Sequence, residues 1–551
     1  MKITATIALL YCTIIASAQS IQWIRDAGSS TSTHEWGNAV DADSDGNAYV
    51  AGFLSTVTDF SPLQAAGYMD GFVAKYDAQG VPLWVRTFGG PGFSDITVMR
   101  TKVDALHNAV YVCGQFRSLP LSNVVIFDTV TITMSGYDNQ AFVAKYDLDG
   151  NFQWVRHGGG NPFGATAYDV AVDDQGRVVC IGELGGTSVF DGQTLVNPLF
   201  QSQGYLARYA PDGTLLNLMA FLSTDRVLPR AVEVAFGSGD ICFAGQFRGA
   251  LTVGGITETA LLPGSQLFVA RMDSSFQGQW IAQGTGTNSA YGAVCTGLDH
   301  DAAENCYITG SAAGSLVEFG THSFAGLDEF NSDVITAKLD PTGTWQWLKH
   351  GGSIAADEGL DITTDAVGNS IITGFLQGNV LSAQFDTAQI QILSQEPHCF
   401  VARYDTYGTL QYARRMGSGN HELGRGIAFA NDSTFYLTGS TQGLTQFDTI
   451  TLSPCCTDPN VFLARFHDAD TNLSTGVFRP DPTTTFALFP NPASDVLQVD
   501  LTTGQDLRIF DAIGSAIPFQ RTNNMVDVSE WVPGIYIAKA GDRTARFVVQ
   551  H

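Results

Sequence analysis

The sequence predicts an all-β protein, a seven-bladed β-propeller followed by a small Ig-like β-sandwich. A strand motif that recurs seven times carries this prediction, and its first copy reads Phe72-Val-Ala-Lys-Tyr-Asp77. The copies occupy 72–77, 142–147, 205–209, 268–273, 335–340, 400–405 and 462–466. A repeat of roughly 60 to 70 residues suits a four-stranded propeller blade. The composition agrees, because 59 glycines and a charged fraction of 15% are typical of a β protein with many tight turns.

Each repeat contains four strand-like segments in a fixed order. A short first strand ends in a tight turn such as Asp45-Gly46-Asn47, and the second strand follows, as in Ala48 to Gly52. The third strand is the recurrent motif, and the fourth carries a tryptophan such as Trp84. Both faces of these strands are apolar, as expected for sheets stacked between neighbouring blades. Every blade packs against its neighbours in the same way. The recurrent aromatic and basic residues are therefore predicted to have a structural role in packing rather than a catalytic role.

The last repeat lacks a fourth strand. Its third strand is followed by a polar segment, 467–472, that contains no tryptophan. The segment Ile21-Gln-Trp23-Ile-Arg25, which precedes the first repeat, has the character of a fourth strand. Pairing this segment with the last blade would close the ring and cover an exposed sheet edge. We therefore expect a propeller over residues 19–468 in which the amino-terminal strand completes the seventh blade.

The amino terminus has the features of a secretory signal peptide, predicted over residues 1–18. Lys2 is followed by an apolar run from Ile7 to Ile15 and by the small residues Ala16-Ser-Ala18. No later stretch approaches the ~20 apolar residues that a membrane-spanning helix needs. The net charge of −26 repels phosphate backbones, so we expect no nucleic-acid partner. The sequence thus predicts an exported protein without a transmembrane segment.

The cysteines fall into two groups. Three lie in the second strand of successive repeats and are predicted to be small buried apolar residues rather than disulfide partners: Cys113, Cys180 and Cys242. Cys399 and either Cys455 or Cys456 occupy similar loop positions in neighbouring repeats. Because the protein is predicted to be exported, a disulfide bond between them is one of the alternatives. No cysteine pair has zinc spacing, so we expect no structural metal.

The repeat also resembles a known family. Gly-Asn after the first strand, Phe-Val-Ala-Lys-Tyr-Asp in the third and tryptophan in the fourth are similar to the bacterial SBBP type of seven-bladed β-propeller repeat. The resemblance extends over residues 21–466. It implies the propeller fold and brings no catalytic residues with it.

The composition changes after the last repeat. A Ser/Thr/Pro-rich segment, 469–483, is predicted to be a linker, and residues 484–551 alternate strands with Pro/Gly turns as a small sandwich does. Four blocks, 488–497, 507–514, 532–537 and 546–549, resemble the type A C-terminal sorting domain of the type IX secretion system of the Bacteroidota. The matching motif residues are Pro490, Asn491, Pro492, Gly514, Pro533, Gly534 and Tyr536. The resemblance implies the type IX machinery as a partner, passage through the outer membrane, and an extracellular or cell-surface location.

Candidate binding residues lie just before first strands. His34-Glu35 and His421-Glu422 occupy the same place in the first and last blades, and Glu358 is nearly equivalent in the sixth. An imidazole with a carboxylate could serve acid–base chemistry or hold a metal. No third partner has a fixed spacing, and no phosphate-binding loop or nucleophile elbow is present. The sequence therefore predicts no catalytic residue, no metal and no cofactor.

Two hypotheses for the function stay open. The chain is either a non-catalytic binding, adhesion or structural module of the cell surface, or a secreted hydrolase or lyase that acts on polysaccharide or peptide. In an up-and-down blade the tight turns lie on one face and the long connections on the other. Recognition usually resides in variable loops on a rigid scaffold. We expect a surface glycan or protein ligand to bind the long-loop face near its central mouth, at the five residues His34, Glu35, Glu358, His421 and Glu422.

Overall fold

The computed structural model describes most of the chain and separates it into two compact units, Met1–Asp470 and Thr471–His551. The described residues are 18–28, 34–55, 58–61, 63–65, 69–90, 95–117, 123–134, 139–161, 164–197, 201–288, 291–377, 382–392, 394–418, 421–447, 450–452, 459–469, 488–489, 495–499, 507–511, 516–519, 521–522, 525–529, 531–532, 534–540 and 543–549. The predicted signal peptide, except for Ala18, lies outside them.

The first unit contains seven blades, which confirms the predicted propeller. The first strand of the unit is β1 (Ala18–Ala27). Blade 1 contains β2 (Trp36–Ala42), β3 (Ala48–Leu54), β4 (Thr58–Phe60), β5 (Leu63–Ala65), β6 (Asp70–Tyr76) and β7 (Pro82–Phe88). Blade 2 contains β8 (Asp95–Asp104), β9 (Ala109–Arg117), β10 (Val124–Phe127), β11 (Val130–Thr133), β12 (Asn139–Tyr146) and β13 (Phe152–Asn161).

Blades 3 to 5 follow the same order. Blade 3 contains β14 (Ala165–Val172), β15 (Val178–Leu184), β16 (Thr187–Phe190), β17 (Gln193–Val196), β18 (Gln203–Tyr209) and β19 (Leu215–Ser223). Blade 4 contains β20 (Arg226–Val234), β21 (Ile241–Arg248), β22 (Ala250–Val253), β23 (Ile256–Thr259), β24 (Gln266–Met272) and β25 (Gly278–Gly286). Blade 5 contains β26 (Ala293–His300), β27 (Cys306–Ala313), β28 (Val317–Phe319), β29 (His322–Phe324), β30 (Ser332–Leu339) and β31 (Trp345–Gly352).

Two blades complete the ring. Blade 6 contains β32 (Glu358–Thr364), β33 (Ser370–Leu376), β34 (Ser382–Phe385), β35 (Ala388–Gln391), β36 (His398–Tyr404) and β37 (Leu410–Met416). Blade 7 contains β38 (Leu423–Asn431), β39 (Thr434–Thr441), β40 (Thr445–Phe447), β41 (Ile450–Leu452) and β42 (Asn460–Ala469). Its fourth strand is β1, which pairs antiparallel with β42 from Ala18 opposite Ala469 to Ala27 opposite Val461. The amino-terminal strand thus closes the ring, as the missing fourth strand of the last repeat predicts.

The repeated residues form the seam between neighbouring blades. The Trp84 Nε1 and the Lys75 Nζ both donate to the Leu148 carbonyl oxygen in the next blade, at 3.0 and 3.1 Å. The Arg86 Nε donates to the Gly150 carbonyl oxygen at 2.7 Å. Gly150 has a φ of 80°, and a Cβ there would lie 2.7 Å from the Trp84 ring. The turn therefore requires glycine both for its backbone conformation and for the space that the tryptophan occupies. Four further tryptophans donate to the same turn of the next blade: Trp23, Trp154, Trp280 and Trp347.

Each connection from a second to a third strand contains a short β-hairpin that the sequence analysis did not identify. Four of these hairpins also pair with the fourth strand of the preceding blade, for example β16 with β13 and β22 with β19. The turns begin at a buried residue such as Phe190, whose ring fills the space that Gly158 leaves open on β13. The hairpins therefore link neighbouring blades on the long-connection face.

The second unit is a small sandwich, as predicted. One sheet contains β43 (Leu488–Phe489), β44 (Val496–Val499), β47 (Arg521–Thr522) and β48 (Met525–Asp527), and the other contains β45 (Arg508–Asp511), β46 (Ala516–Ile517), β49 (Gly534–Ala540) and β50 (Arg543–Val549). Leu497 and Val526 of one sheet share a core with Ile509 and Ala538 of the other. Of the predicted motif residues, Gly534 begins β49 and the Tyr536 hydroxyl donates to the Val532 carbonyl oxygen at 2.7 Å. Five others lie outside the described residues: Pro490, Asn491, Pro492, Gly514 and Pro533.

The predicted burial of the second-strand cysteines is confirmed. Cys113, Cys180 and Cys242 are 0%, 2% and 7% exposed. Cys399 is buried with a free thiol, and its predicted partners Cys455 and Cys456 lie outside the described residues. No helix long and apolar enough to cross a membrane occurs in the part of the chain that the structure describes.

Candidate functional site

The seven first strands surround the central channel. Each of them lies beside the first strands of both neighbouring blades, so that β2, β8, β14, β20, β26, β32 and β38 form a closed ring. Every one of these strands has a β-bulge near its middle, as between Gly37 and Ala39 or between Gly424 and Gly426. A bulge inserts one extra residue and redirects its side chain. The extra residues are Asn38, Met99, Tyr168, Arg230, Thr296, Leu360 and Arg425.

A cavity of about 420 Å³ occupies one mouth of this channel. All seven bulge residues line it, together with residues such as Trp36, Arg100 and Glu358. Its lining comes from the beginnings and middles of the first strands, which places the cavity on the long-connection face. We call it the mouth cavity.

Two arginines of the mouth cavity lie over aromatic rings. The Arg230 guanidinium carbon is 4.0 Å from the centre of the Tyr168 ring, and the Arg425 carbon is 4.5 Å from the Trp36 ring. The Tyr168 hydroxyl donates to the Glu183 Oε1 at 2.6 Å, and the Trp36 ring packs edge-on against Phe53. The aromatic faces attract each cation and fix the plane of its guanidinium. Two planar hydrogen-bond donors are therefore preorganised at the mouth.

Glu358 is the one carboxylate among the described residues that line the mouth cavity. Burial raises the pKa of Glu358, while the charges of Arg230 and Arg425 oppose that rise. Burial lowers the pKa of Arg425 against the attraction of Glu358. The Arg425 Nε and the Trp36 Nε1 have no hydrogen-bond partner within the described part of the chain. The lining thus combines one acid with three arginines, of which Arg230 and Arg425 lie over aromatic rings, and it retains unused donors.

At the inner end of the mouth cavity, a basic side chain of the lining, Arg100 of blade 2, reaches across the channel. Arg100 reaches Asp361 of blade 6 at 2.9 Å and Asp169 of blade 3 at 3.5 Å. Burial raises the pKa of Asp169 to about 7 against the attraction of Arg100. The Asp169 and Asp361 carboxylates also accept the backbone N–H groups of Val232 and Ile427, which belong to the next blades. These two acids are therefore engaged in holding the channel wall together.

One level further down, Lys102 of blade 2 contacts the Glu233 Oε1 at 2.6 Å. Glu233, Asp299 and His300 place one donor atom each within 4.8 Å of one another, a spacing that could suit a metal ion. The Lys102 ammonium already supplies a positive charge to this cluster. Burial raises the pKa of Asp299 to about 8, the Glu233 charge raises it further, and the Lys102 charge lowers it. The cluster thus behaves as a buried ion-pair network.

The structure places one of the five predicted binding residues, Glu358, in the mouth cavity. His34 is exposed and His421 is half-buried with a φ of 66°, and neither belongs to the lining as described. Glu35 and Glu422 are 0% exposed and cannot touch a ligand in this conformation. The Glu422 Oε1 instead accepts the Ser418 backbone N–H at 3.2 Å.

The residue in blade 6 that matches these two buried glutamates is Asp357, one position before Glu358. Each of the three acids donates its backbone N–H to an equivalent carbonyl oxygen: Glu35 to Pro459, Asp357 to Ser332 and Glu422 to Pro397. The Asp357 carboxylate accepts the backbone N–H groups of Ser353 and Gln377 at 2.5 and 2.7 Å. The carboxylates of Asp357 and Glu422 therefore order the loop that leads into the first strand.

Trp36, Tyr168, Arg230 and Arg425 were missed by the sequence analysis. The bulge breaks the two-residue alternation of a strand, so alternation alone assigns Tyr168, Arg230 and Arg425 to the wrong face. Trp36 precedes the bulge of its own strand. A signal was nevertheless present. The bulge position varies widely between repeats, with asparagine, methionine, tyrosine, arginine, threonine and leucine among its occupants, whereas the seam residues recur.

Comparison with known proteins identifies the second unit. Residues 487–550 match the family model described as a secretion system C-terminal sorting domain. The chain is therefore secreted through the type IX system and is located at the cell surface or outside the cell.

The chain has distant similarity to solved structures of other proteins. No curated protein matches the chain in sequence. A Dyadobacter fermentans protein of unknown function is 9% identical with a TM-score of 0.34, over 69% of this chain and 95% of that one. A polysaccharide lyase, the PL25 ulvan lyase, is 10% identical with a TM-score of 0.34, over 74% of this chain and 92% of that one. At these values neither similarity identifies a site.

Proposed function

We propose that the protein is a secreted, non-catalytic binding module that captures an acidic sugar of a surface glycan in its mouth cavity. The observation that carries the proposal is the pair of guanidinium groups of Arg230 and Arg425, each of which lies over an aromatic ring. Guanidinium groups suit carboxylates because two parallel N–H groups can donate to both oxygens. The ring behind each arginine keeps that geometry before the ligand arrives.

The size and charge of the site favour a short or terminal acidic saccharide. A cavity of about 420 Å³ lies at the lower end of the volumes that small ligands occupy. The net charge of −26 opposes an extended polyanion, because most of the molecular surface repels it. Of the three arginines in the lining, Arg100 is paired with Asp169 and Asp361, while Arg230 and Arg425 outnumber the one glutamate and attract negative charge locally. A single carboxylate at the mouth satisfies both conditions, and the Asn38 Oδ1, which has no partner within the described residues, can accept a hydrogen bond from a sugar hydroxyl.

Isothermal titration calorimetry with trigalacturonic acid, and with maltotriose as a neutral trisaccharide of the same length, tests this proposal. We expect the acidic sugar to bind and the neutral one to bind at least about tenfold more weakly. Arg425→Ala or Arg230→Ala should weaken binding by about tenfold or more. Arg425→Lys keeps the charge and loses the planar donor pair, so it should bind with intermediate affinity.

Arg117→Ala is the matched control, because the Arg117 side chain is 50% exposed and pairs with Asp95 outside the mouth cavity. Equal affinity of the wild type for both trisaccharides would contradict the proposal. So would unchanged affinity for the acidic sugar in the Arg230→Ala, Arg425→Ala double variant.

A hydrolase or lyase is the second candidate, favoured by the raised pKa of Glu358, which suits a proton donor. Hydrolysis of a glycoside commonly needs two carboxylates that face the bond. Asp169 and Asp361 are engaged with Arg100, which leaves Glu358 alone in the lining described here. Incubating the same trisaccharide with the protein and measuring new reducing ends and unsaturated uronates distinguishes the two functions. Turnover that Glu358→Gln abolishes would establish the enzyme.

A further inference from the structure

Two buried cysteines face one another across the seam between blades 4 and 5. Cys242 lies on β21 and Cys306 on β27, and their sulfur atoms are 2.7 Å apart. The two residues are 7% and 1% exposed. A disulfide needs sulfur atoms about 2.05 Å apart, so bond formation requires a movement of less than about 1 Å.

The strand pattern explains why these two side chains meet. The second strands of blades 4 and 5 can be aligned on an equivalent glycine, which is Gly245 in blade 4 and Gly310 in blade 5. Cys242 lies an odd number of residues before Gly245, whereas Cys306 lies an even number of residues before Gly310. The two cysteines therefore occupy opposite faces of their equivalent strands. Successive side chains of a strand point to opposite faces. Cys242 therefore points towards blade 5 and Cys306 towards blade 4, and both belong to one core cluster.

Both thiols are free in this structure, and the sequence alone predicts no disulfide at Cys242. From their approach we propose instead that Cys242 and Cys306 form a disulfide bond that links blades 4 and 5 in the exported protein. The two thiols lose two protons and two electrons as the sulfur–sulfur bond forms. A disulfide-containing oxidoreductase of the exporting compartment accepts the electrons and is reduced to a dithiol. The sorting domain directs the chain out of the reducing cytoplasm, where such bonds rarely persist.

The bond should form while the ring is still assembling. Burial raises the pKa of the Cys242 thiol, and the neighbouring Cys306 thiol raises it further. Thiol exchange needs a thiolate and access to the oxidant, both of which the finished core opposes. The cysteines of successive blades meet before the later blades close the ring.

Cys295 provides an internal control. It lies on β26 in the same core cluster and is 0% exposed, but its thiol donates to the Gly297 carbonyl oxygen at 3.4 Å. We expect this cysteine to remain a thiol. Cys113 and Cys180 also face one another in a core cluster, but the Cys180 thiol lies 3.9 Å from the Tyr205 hydroxyl as well, so the inference is confined to Cys242 and Cys306.

The test uses the mature protein purified from the exporting host and unfolded in guanidinium with an alkylating reagent and no reductant. Peptide mapping should find a linked pair of peptides that contain Cys242 and Cys306, while Cys295 is alkylated. In Cys242→Ala the Cys306 peptide should become alkylated. Quantitative alkylation of Cys242 and Cys306 in the wild type would overturn the proposal.

A double-mutant cycle gives a second readout that does not depend on chemical trapping. Each single variant, Cys242→Ala or Cys306→Ala, already breaks the bond and should lower the Tm by on the order of 5 °C. The double variant should then fall little further, because the bond can be lost only once. Cys399→Ala, in a separate core cluster, should behave additively with either variant. Additive losses in the Cys242→Ala, Cys306→Ala pair would count against the disulfide.

Discussion

The seam between blades and the mouth of the channel are built from the same repeat in opposite ways. At the seam the same residue types recur, and Trp84, Lys75 and Gly150 make contacts that return around the ring. At the mouth the bulge position differs widely from blade to blade. Every blade packs against its neighbours in the same way, so the packing residues are the same in each repeat. A ligand in the mouth cavity contacts residues from all seven blades, and each blade can contribute a different group. In this propeller the departures from the repeat therefore indicate the site.

Of the substitutions at the seam, Trp23→Ala should lower the free energy of unfolding most, because Trp23 belongs to the strand that closes the ring. It is 8% exposed, and its Nε1 donates to the Ala78 carbonyl oxygen of blade 1 at 2.9 Å. We expect a loss of about 3–5 kcal/mol in the free energy of unfolding, measured by chemical denaturation. Affinity for the acidic trisaccharide, measured well below the new Tm, should change little.

Leu83→Ala is the control for this loss, since Leu83 lies on the fourth strand of blade 1 and is 49% exposed. Its effect should stay within about 0.5 kcal/mol. An unchanged Tm in Trp23→Ala would show that the ring does not depend on its amino-terminal strand.

The seam could be predicted from the sequence because repetition reveals it. Seven copies of one motif fix the strand order, and the missing fourth strand identifies Trp23 as its replacement. The mouth could not be predicted at the level of side chains, since nothing in Leu423 to Gly426 alone marks Arg425 as the extra residue of a bulge. Asp357 and Glu358 both precede the bulge of blade 6, and adjacent side chains point to opposite faces, so only Glu358 reaches the cavity while Asp357 is buried.

Gly150→Ala should cause the next largest loss in the free energy of unfolding, through backbone strain and through displacement of Trp84. Gly192→Ala, which causes backbone strain alone, separates the two contributions. Both glycines have a φ of 80°, but a Cβ at Gly150 would meet the Trp84 ring at 2.7 Å, while nothing lies within 4 Å of one at Gly192. Backbone strain alone costs roughly 1–2 kcal/mol, which is the loss expected for Gly192→Ala. Displacing the tryptophan adds about 1–3 kcal/mol at Gly150. Equal losses in the two variants, measured by denaturant titration, would mean that the seam tolerates a shifted tryptophan.

The smallest expected effect is a pH dependence that arises from the channel below the mouth. Burial raises the pKa of Asp299 to about 8 and that of Asp169 to about 7, both well above their unfolded value of 3.8. Between the unfolded and folded pKa values the native state binds protons that the unfolded state does not, so stability must fall as the pH rises through this window. From pH 6.5 to pH 8.5, above the range in which burial lowers the pKa of His300, we expect a loss of about 2–3 kcal/mol in the free energy of unfolding. Asp299→Asn keeps an oxygen for the Thr364 backbone N–H and removes one titrating group, so it should flatten the profile, whereas the exposed Asp149→Asn should leave the slope unchanged. A slope that Asp299→Asn does not alter would mean that Asp299 carries its charge at neutral pH and that Lys102 neutralises it fully.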